Sequence, residues 1–248
     1  MGTGESSRII FHAIDEALGI CGVVREQSPS RRTLTKRRYQ KLGAVEVGGQ
    51  LAFQLAVQPL VVRRGRARIA QILAETGMDW SDIPEDRVVD VASVNTPEAV
   101  EALAALKPDV VLVNGTRIIG KKTLAALGVP FVNTHSGITP RYRGVHGGYW
   151  ALAEDHPEWC GVTVHLVDTG IDTGGVLAQA VIQPKPEDTF ASYRFLQLAA
   201  AIPCLIRVLP EVAAGNAKPA TPLAPTAPLY YHPTIWGYLR TWWMRGVR

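Results

Sequence analysis

The sequence predicts an α/β fold: a doubly wound, Rossmann-like, mainly parallel sheet with helices on both faces. Three observations lead there. Short apolar runs bounded by turn residues recur along the chain, as buried strands require. Segments with recognisable helix starts and stops fall between them. The polar residues able to do chemistry cluster just after the runs, where open α/β sheets bind their ligands. At 248 residues and 47% hydrophobic content, one domain with a modest appendage is the natural reading.

The elements follow in order. Ile9 to Leu18 form a first helix, Leu18 to Val24 suits a buried strand, and Val88 to Val91 is another. Thr96 caps a helix that starts at Pro97 and runs through Leu106, where Lys107-Pro108 ends it. Asp109 to Val113 is a core strand, Lys121 to Leu127 a short helix closed by Gly128, and Val129 to Asn133 the next strand. This βαβαβ rhythm makes the loops after Val113 and after Asn133 neighbours in space. Between Gln27 and Thr76 the apolar residues are only loosely helical in spacing and suggest inserted helices. From about 216 to 248 a Pro-rich linker leads to a tail with Trp236, Tyr238, Trp242 and Trp243 among arginines.

Composition narrows the classes. Three cysteines with no close pairing signal neither a disulfide framework nor a zinc site. The apolar run Val47 to Val62 is interrupted by Gln50, Gln54 and Gln58 and falls short of a bilayer. With no charged-then-apolar leader, a soluble cytoplasmic protein without a membrane span is expected. The net charge of +4 is uneven: Arg31, Arg32, Lys36, Arg37, Arg38 and Lys41 crowd one segment, Arg63, Arg64, Arg66 and Arg68 another. Such clusters suit phosphates, whether of a nucleotide or of RNA, but the reading favoured here is a solvated basic helix face.

Asn133-Thr134-His135-Ser136-Gly137, then Asp168-Thr169-Gly170-Ile171-Asp172-Thr173-Gly174, bring an amide, an imidazole and a carboxylate to strand ends. They are a donor for an oxyanion, a proton carrier and an orienting anion, which is the equipment of acyl transfer. Alone, either motif reads as a plain turn. His165 alternates with Val164 and Leu166 in a strand and reads as a core histidine.

Together with Pro140-x-Tyr142-Arg143-Gly144 and Gly161-Val162-Thr163-Val164-His165, these blocks resemble the folate-dependent formyltransferases, a family that includes methionyl-tRNA, glycinamide ribonucleotide and sugar N-formyltransferases. The resemblance implies Asn133, His135 and Asp172 as a catalytic trio and 10-formyltetrahydrofolate as co-substrate, with no metal. It implies a pterin loop over Gly115, Thr116, Arg117, Ile118 and Ile119, closed on its other side by the loop from Asp168, and an acceptor site at Ser136, Gly137, Arg141, Tyr142, Arg143 and Gly144. The catalytic domain would cover 1–215, with the helical insert at about 27–76. The expected acceptor is a small-molecule amine, foremost an amino sugar on a nucleotide. A transfer-RNA enzyme without its C-terminal domain, a glycinamide ribonucleotide enzyme, and an idle RNA- or partner-binding homologue are the alternatives. Nucleic acid is the less expected partner, and a homodimer is open. In the family an apolar strand precedes the loop that Met1 to Arg8 resembles. Without that strand the sheet should carry an apolar gap with unpaired backbone, and the expectation is a start that lies upstream.

Overall fold

A computed structural model describes residues 1–248, the side chain of Arg31 excepted. Its strands are β1 (Val23–Glu26), β2 (Val88–Val91), β3 (Val111–Val113), β4 (Phe131–His135), β5 (Gly161–Leu166) and β6 (Val176–Val181). β1 and β2 pair in parallel as one small sheet, and β3-β4-β5-β6 form a second. Within the second, β3–β4 is parallel while β4–β5 and β5–β6 are antiparallel. The α/β class stands, with parallel pairing between strands confined to residues 23–135. The short connection 167–175 is one reason, because parallel neighbours need a crossover of about a dozen residues or more.

The helices are α1 (Glu5–Leu18), α2 (Arg31–Ala52), α3 (Gln58–Thr76), α4 (Pro97–Ala105), α5 (Lys121–Leu127), α6 (Gly147–Ala153), α7 (Tyr193–Ala213) and α8 (Ile235–Arg245). Capping chemistry sets several ends where the sequence places them. Thr96 accepts from Ala99 N ahead of Pro97, and Gly128 closes α5 at φ 65°. The strand expected over Leu18 to Val24 begins only at Val23. Leu18 still belongs to α1, and Gly19 at φ 75° ends it by donating its N–H to Asp15 O. The segment 27–76 forms two long helices: α2, bent at Gly43 (φ 80°), passes through a wide turn at Phe53–Val57 into α3.

The main core gathers Phe195, Leu198, Leu205 and Leu209 of α7, Ile9, Ile10 and Ile14 of α1, and Val132 and Val164 of the sheet. By length and composition alone, 32–76 and α7 are long and apolar enough to cross a membrane, but α7 is the central core helix. α3 is fastened to the entry of α7 by a buried ion pair, Arg68 Nε to Asp188 Oδ1 at 2.8 Å. The tail docks on the body of the fold, with Tyr238 packed on Phe53, Tyr149 and Phe190.

Between β1 and β3 runs a channel of about 400 Å³, lined by Ile14, Val23, Leu103, Val111, Phe131 and Leu209 among others. The first residues enter it from one end. The Met1 ammonium donates to Val24 O at 2.5 Å, Glu26 N donates to Met1 O at 2.9 Å, and Gly2 N donates to Asn114 O at 2.9 Å. Met1 and Gly2 thus bridge the two sheets, and past them the facing edges of β1 and β3 are apart. The apolar gap expected in place of a first strand is present. Burial pushes the Met1 amine down to about 6.

Two outcomes are expected. Adding a five-residue valine- and isoleucine-rich segment ahead of Met1 should raise the melting temperature, at about 2–4 °C per kcal/mol gained; a gain equalled by a glycine- and serine-rich segment would show that the channel takes no strand. Asp188→Ala, which takes the hydrogen-bonded carboxylate from the buried Arg68 and leaves it Glu75 at 3.8 Å, should cost about 3–5 kcal/mol in denaturant unfolding.

Candidate active site

The antiparallel β4–β5 ladder sets Asn133 opposite His165 and His135 opposite Thr163. Directly facing residues have side chains within about 5 Å of each other, so Asn133 and His165 meet, Nδ2 to Nε2 at 3.2 Å. His165 Nδ1 lies 2.7 Å from Leu166 O. That carbonyl can only accept, which assigns the proton to Nδ1 and leaves Nε2 to accept from Asn133.

Asp172 arrives on the loop after β5. Asp168 organises that loop, its Oδ1 accepting from Gly170 N at 2.9 Å and Thr173 Oγ1 at 2.7 Å. Asp172 itself is left-handed (φ 52°), a conformation that Asp tolerates better than most residues. Its carboxylate reaches His135 Nδ1 at 3.3 Å and His165 Nε2 at 3.6 Å, and accepts from Gly144 N at 3.2 Å. His135 Nε2 lies 2.7 Å from Tyr142 O and donates to it.

Burial works to raise the Asp172 carboxyl, but His165, His135 and the Gly144 N–H together outweigh it and hold it below the ordinary carboxylate range. Burial pushes His135 below the ordinary imidazole value, against the pull of Asp172. With the Nε2–H given to Tyr142 O, the 3.3 Å contact between His135 Nδ1 and Asp172 Oδ2 is a hydrogen bond when it holds one further proton, on Nδ1 or on the carboxyl. A proton reaching Nδ1 would be held between the two. The Nε2–H, engaged by Tyr142 O, is not free for an oxyanion.

The structure thus brings Asn133, His135 and Asp172 together, and adds His165 between the amide and the carboxylate. Sequence reading passed over His165 because a parallel sheet supplies no reason for it to face Asn133. Antiparallel pairing does.

The acceptor loop is differently employed than its residue types suggest. Tyr142 is fully buried, its hydroxyl donates to Glu154 Oε2 at 3.2 Å, and burial raises it to about 12. Arg141 pairs with Glu154 at 3.0 Å and lies over the Trp159 ring, while Arg143 donates to Pro140 O and Ala227 O. Both arginines are held within the fold by these contacts. Gly137 donates to His135 O at 2.9 Å and packs under Tyr142 O. Ser136 stands beside it, half-buried, and Gly144 serves Asp172 through its backbone.

The loop after β3 starts level with Asn133, since Val113 is its register partner. Gly115 turns it at φ 67°, and the Thr116 hydroxyl donates to Arg117 O. Arg117 is bound to Glu26 Oε2 at 2.7 Å and donates to Gln27 O and Ala92 O. It ties the loop to β1 and has no free charge to offer a folate glutamate. Ile119 is buried in the core, leaving Ile118 as the exposed apolar side chain of this loop. Among the described residues no three His, Cys, Asp or Glu side chains are grouped to hold a metal ion.

The formyl transferase family model matches residues 59–208, more than half of the chain. The chain belongs to the formyl transferase family. A methionyl-tRNA formyltransferase of Desulfotalea psychrophila is 37% identical over 103 residues, covering 41% of this chain and 32% of the relative. The chain thus matches less than half the length of such curated relatives. A phosphoribosylglycinamide formyltransferase of Anaplasma phagocytophilum shares the fold at 18% identity and TM-score 0.55, over 93% of this chain and 95% of that one. Glycinamide ribonucleotide transformylase 1 of Symbiobacterium toebii does so at 19% identity and TM-score 0.53, over 86% and 84%. The family match begins inside the long helical pair, at the second residue of α3.

Beside the site, His146 Nε2 meets His232 Nδ1 at 2.9 Å. Burial first, then mutual repulsion, pushes His146 down to about 3, and burial with nearby Arg38 pushes His232 to about 4. Both rings are neutral in the fold, whereas the unfolded chain protonates them near 6.5. Stability from this pair is complete above pH 6.5 and falls as pH drops toward 4, by up to about 1.4 kcal/mol per pH unit for each ring. His146→Asn, which suits the left-handed φ of 59° there, combined with His232→Asn should flatten the melting temperature between pH 6.5 and 4; an unchanged slope would assign the acid sensitivity elsewhere.

Proposed function

We propose that this member of the family transfers a formyl group from 10-formyltetrahydrofolate to a primary amine, with an amino sugar on a nucleotide as the preferred acceptor class. The convergence of the Asn133 amide, His135, His165 and the Asp172 carboxylate on one strand end carries the reading.

The amine nitrogen attacks the formyl carbon, the carbon's bond to the folate nitrogen breaks, and one proton passes from the amine to that nitrogen. Asn133 spends one amide hydrogen on His165 and retains the other for the oxygen on which negative charge develops. His135 takes the amine proton at Nδ1, where the Asp172 carboxylate stabilises the imidazolium, and returns it to the departing nitrogen. His165 orients Asn133 through the hydrogen bond between them. The loop from Gly115, with its bare backbone and exposed Ile118, suits a flat apolar ring lying beside Asn133.

The curated relatives, named methionyl-tRNA formyltransferases, favour charged initiator transfer RNA as a second acceptor. Mass spectrometry for an added formyl group, across amino-sugar nucleotides, glycinamide ribonucleotide and charged initiator transfer RNA, separates the readings. Wild-type protein that releases no tetrahydrofolate with any of them would overturn the proposal.

Asp172→Asn should lower kcat by about 100-fold or more, and Asn133→Ala by about 100- to 1000-fold. Folate binding, read by fluorescence, should survive in both. Full turnover in Asp172→Asn would remove the carboxylate from the chemistry.

A further inference from the structure

The basic segment of α2 carries its charges without carboxylate partners. Six basic residues lie between positions 31 and 41, and the first carboxylate along the helix is Glu46. The side chain of Arg31 lies outside the described residues. Among the described residues, none of Arg32, Lys36, Arg37, Arg38 and Lys41 forms an ion pair, whereas arginines 8, 25, 68, 87, 117, 141, 194 and 245 all do. Arg32, Lys36 and Arg37 stand in solvent, as a wetted helix face would. Arg38 does not. It is half-buried, and its Nη1 is shielded from water without any hydrogen-bond partner. Leaving a charged donor so is more costly than leaving a neutral one, unless an anion completes it.

The surroundings place that anion. Lys41 Nζ sits over the Tyr231 ring at 5.5 Å. His232, whose Nδ1 is taken by His146, has no protein partner at Nε2 and is close enough to Arg38 to feel its charge. The corner lies next to the catalytic cluster along two strands of chain. Gly144, which donates to Asp172, pairs with Tyr230, and two residues further on each side His146 meets His232. Two residues span at most about 7 Å.

We propose that Arg38, Lys41 and His232 form an anion site that takes the phosphate groups of the acceptor. The inference rests on the phosphorylated acceptor of the proposed reaction, and it supplies the phosphate contacts that Arg141 and Arg143, already engaged within the fold, do not. A diphosphate suits the site better than a single phosphate, because Arg38 presents a planar fork and Lys41 a separate point charge. A nucleotide lets one such group be held while its amine reaches Asp172 and His135.

The test needs neither folate nor acceptor. Inorganic pyrophosphate is titrated into the full chain by calorimetry at low salt, with Arg38→Gln/Lys41→Gln against Arg63→Gln/Arg64→Gln as a charge-matched control and thermal melts to verify folding. The expected result is at least a tenfold loss of affinity in the first variant, less than twofold in the second, and partial recovery in Arg38→Lys. Equal losses in both variants, or no binding by wild type, would overturn the site. Single-stranded RNA that binds with a steep salt dependence and survives Arg38→Gln/Lys41→Gln would likewise replace it with a diffuse nucleic-acid surface. A wild type that binds pyrophosphate but transfers no formyl group would retain the anion site and refute the reaction; the reverse result would do the opposite.

Discussion

The candidate site depends on the register of one ladder. Antiparallel pairing of β4 with β5 sets Asn133 across from His165, and every later contact uses that juxtaposition. A slip of one residue would turn His165 to the other face of the sheet, leaving the Asn133 amide unoriented and Asp172 with one imidazole in place of two. The register is secured by the apolar neighbours in the same strands, Val132 and Val164, both in the main core. Burial of hydrophobic side chains thus fixes the geometry of polar ones.

Around this ladder the fold assigns nearly every buried charge to a local partner. Glu26 secures Arg117, Glu154 secures Arg141 and Tyr142, and Asp188 secures Arg68. The first two pairs fix loops beside Asn133 and Asp172, and the third fixes the entry of α7, so these charges position backbone. The same accounting makes the unpaired arginine of α2 conspicuous.

Much of this was legible in the residues. Thr96-Pro97 and Gly128 mark helix ends by local capping chemistry, which needs no tertiary information, and the motif blocks contain the three residues that the fold brings close together. The strand assigned to Leu18 to Val24 was displaced because an apolar run does not distinguish the last turn of a helix from the start of a strand. Strand direction was not legible, since it is decided by how the whole chain returns to the sheet, and His165 was hidden with it. The roles of Arg141, Arg143 and Arg117 were invisible for a related reason: a guanidinium that binds phosphate and one that binds a neighbouring carboxylate or carbonyl have the same letter.

The C-terminal tail looks peripheral, yet its backbone enters the electrostatics of the centre. Tyr230 N donates to Arg143 O and Tyr230 O accepts from Val145 N, splinting the three residues whose middle amide points at Asp172. The charge on that carboxylate is therefore held in part from 58 residues downstream, the interval from Asp172 to Tyr230. Fold and tail are one electrostatic unit, and a change that loosens residue 230 acts on the pairing of Asp172 with His135.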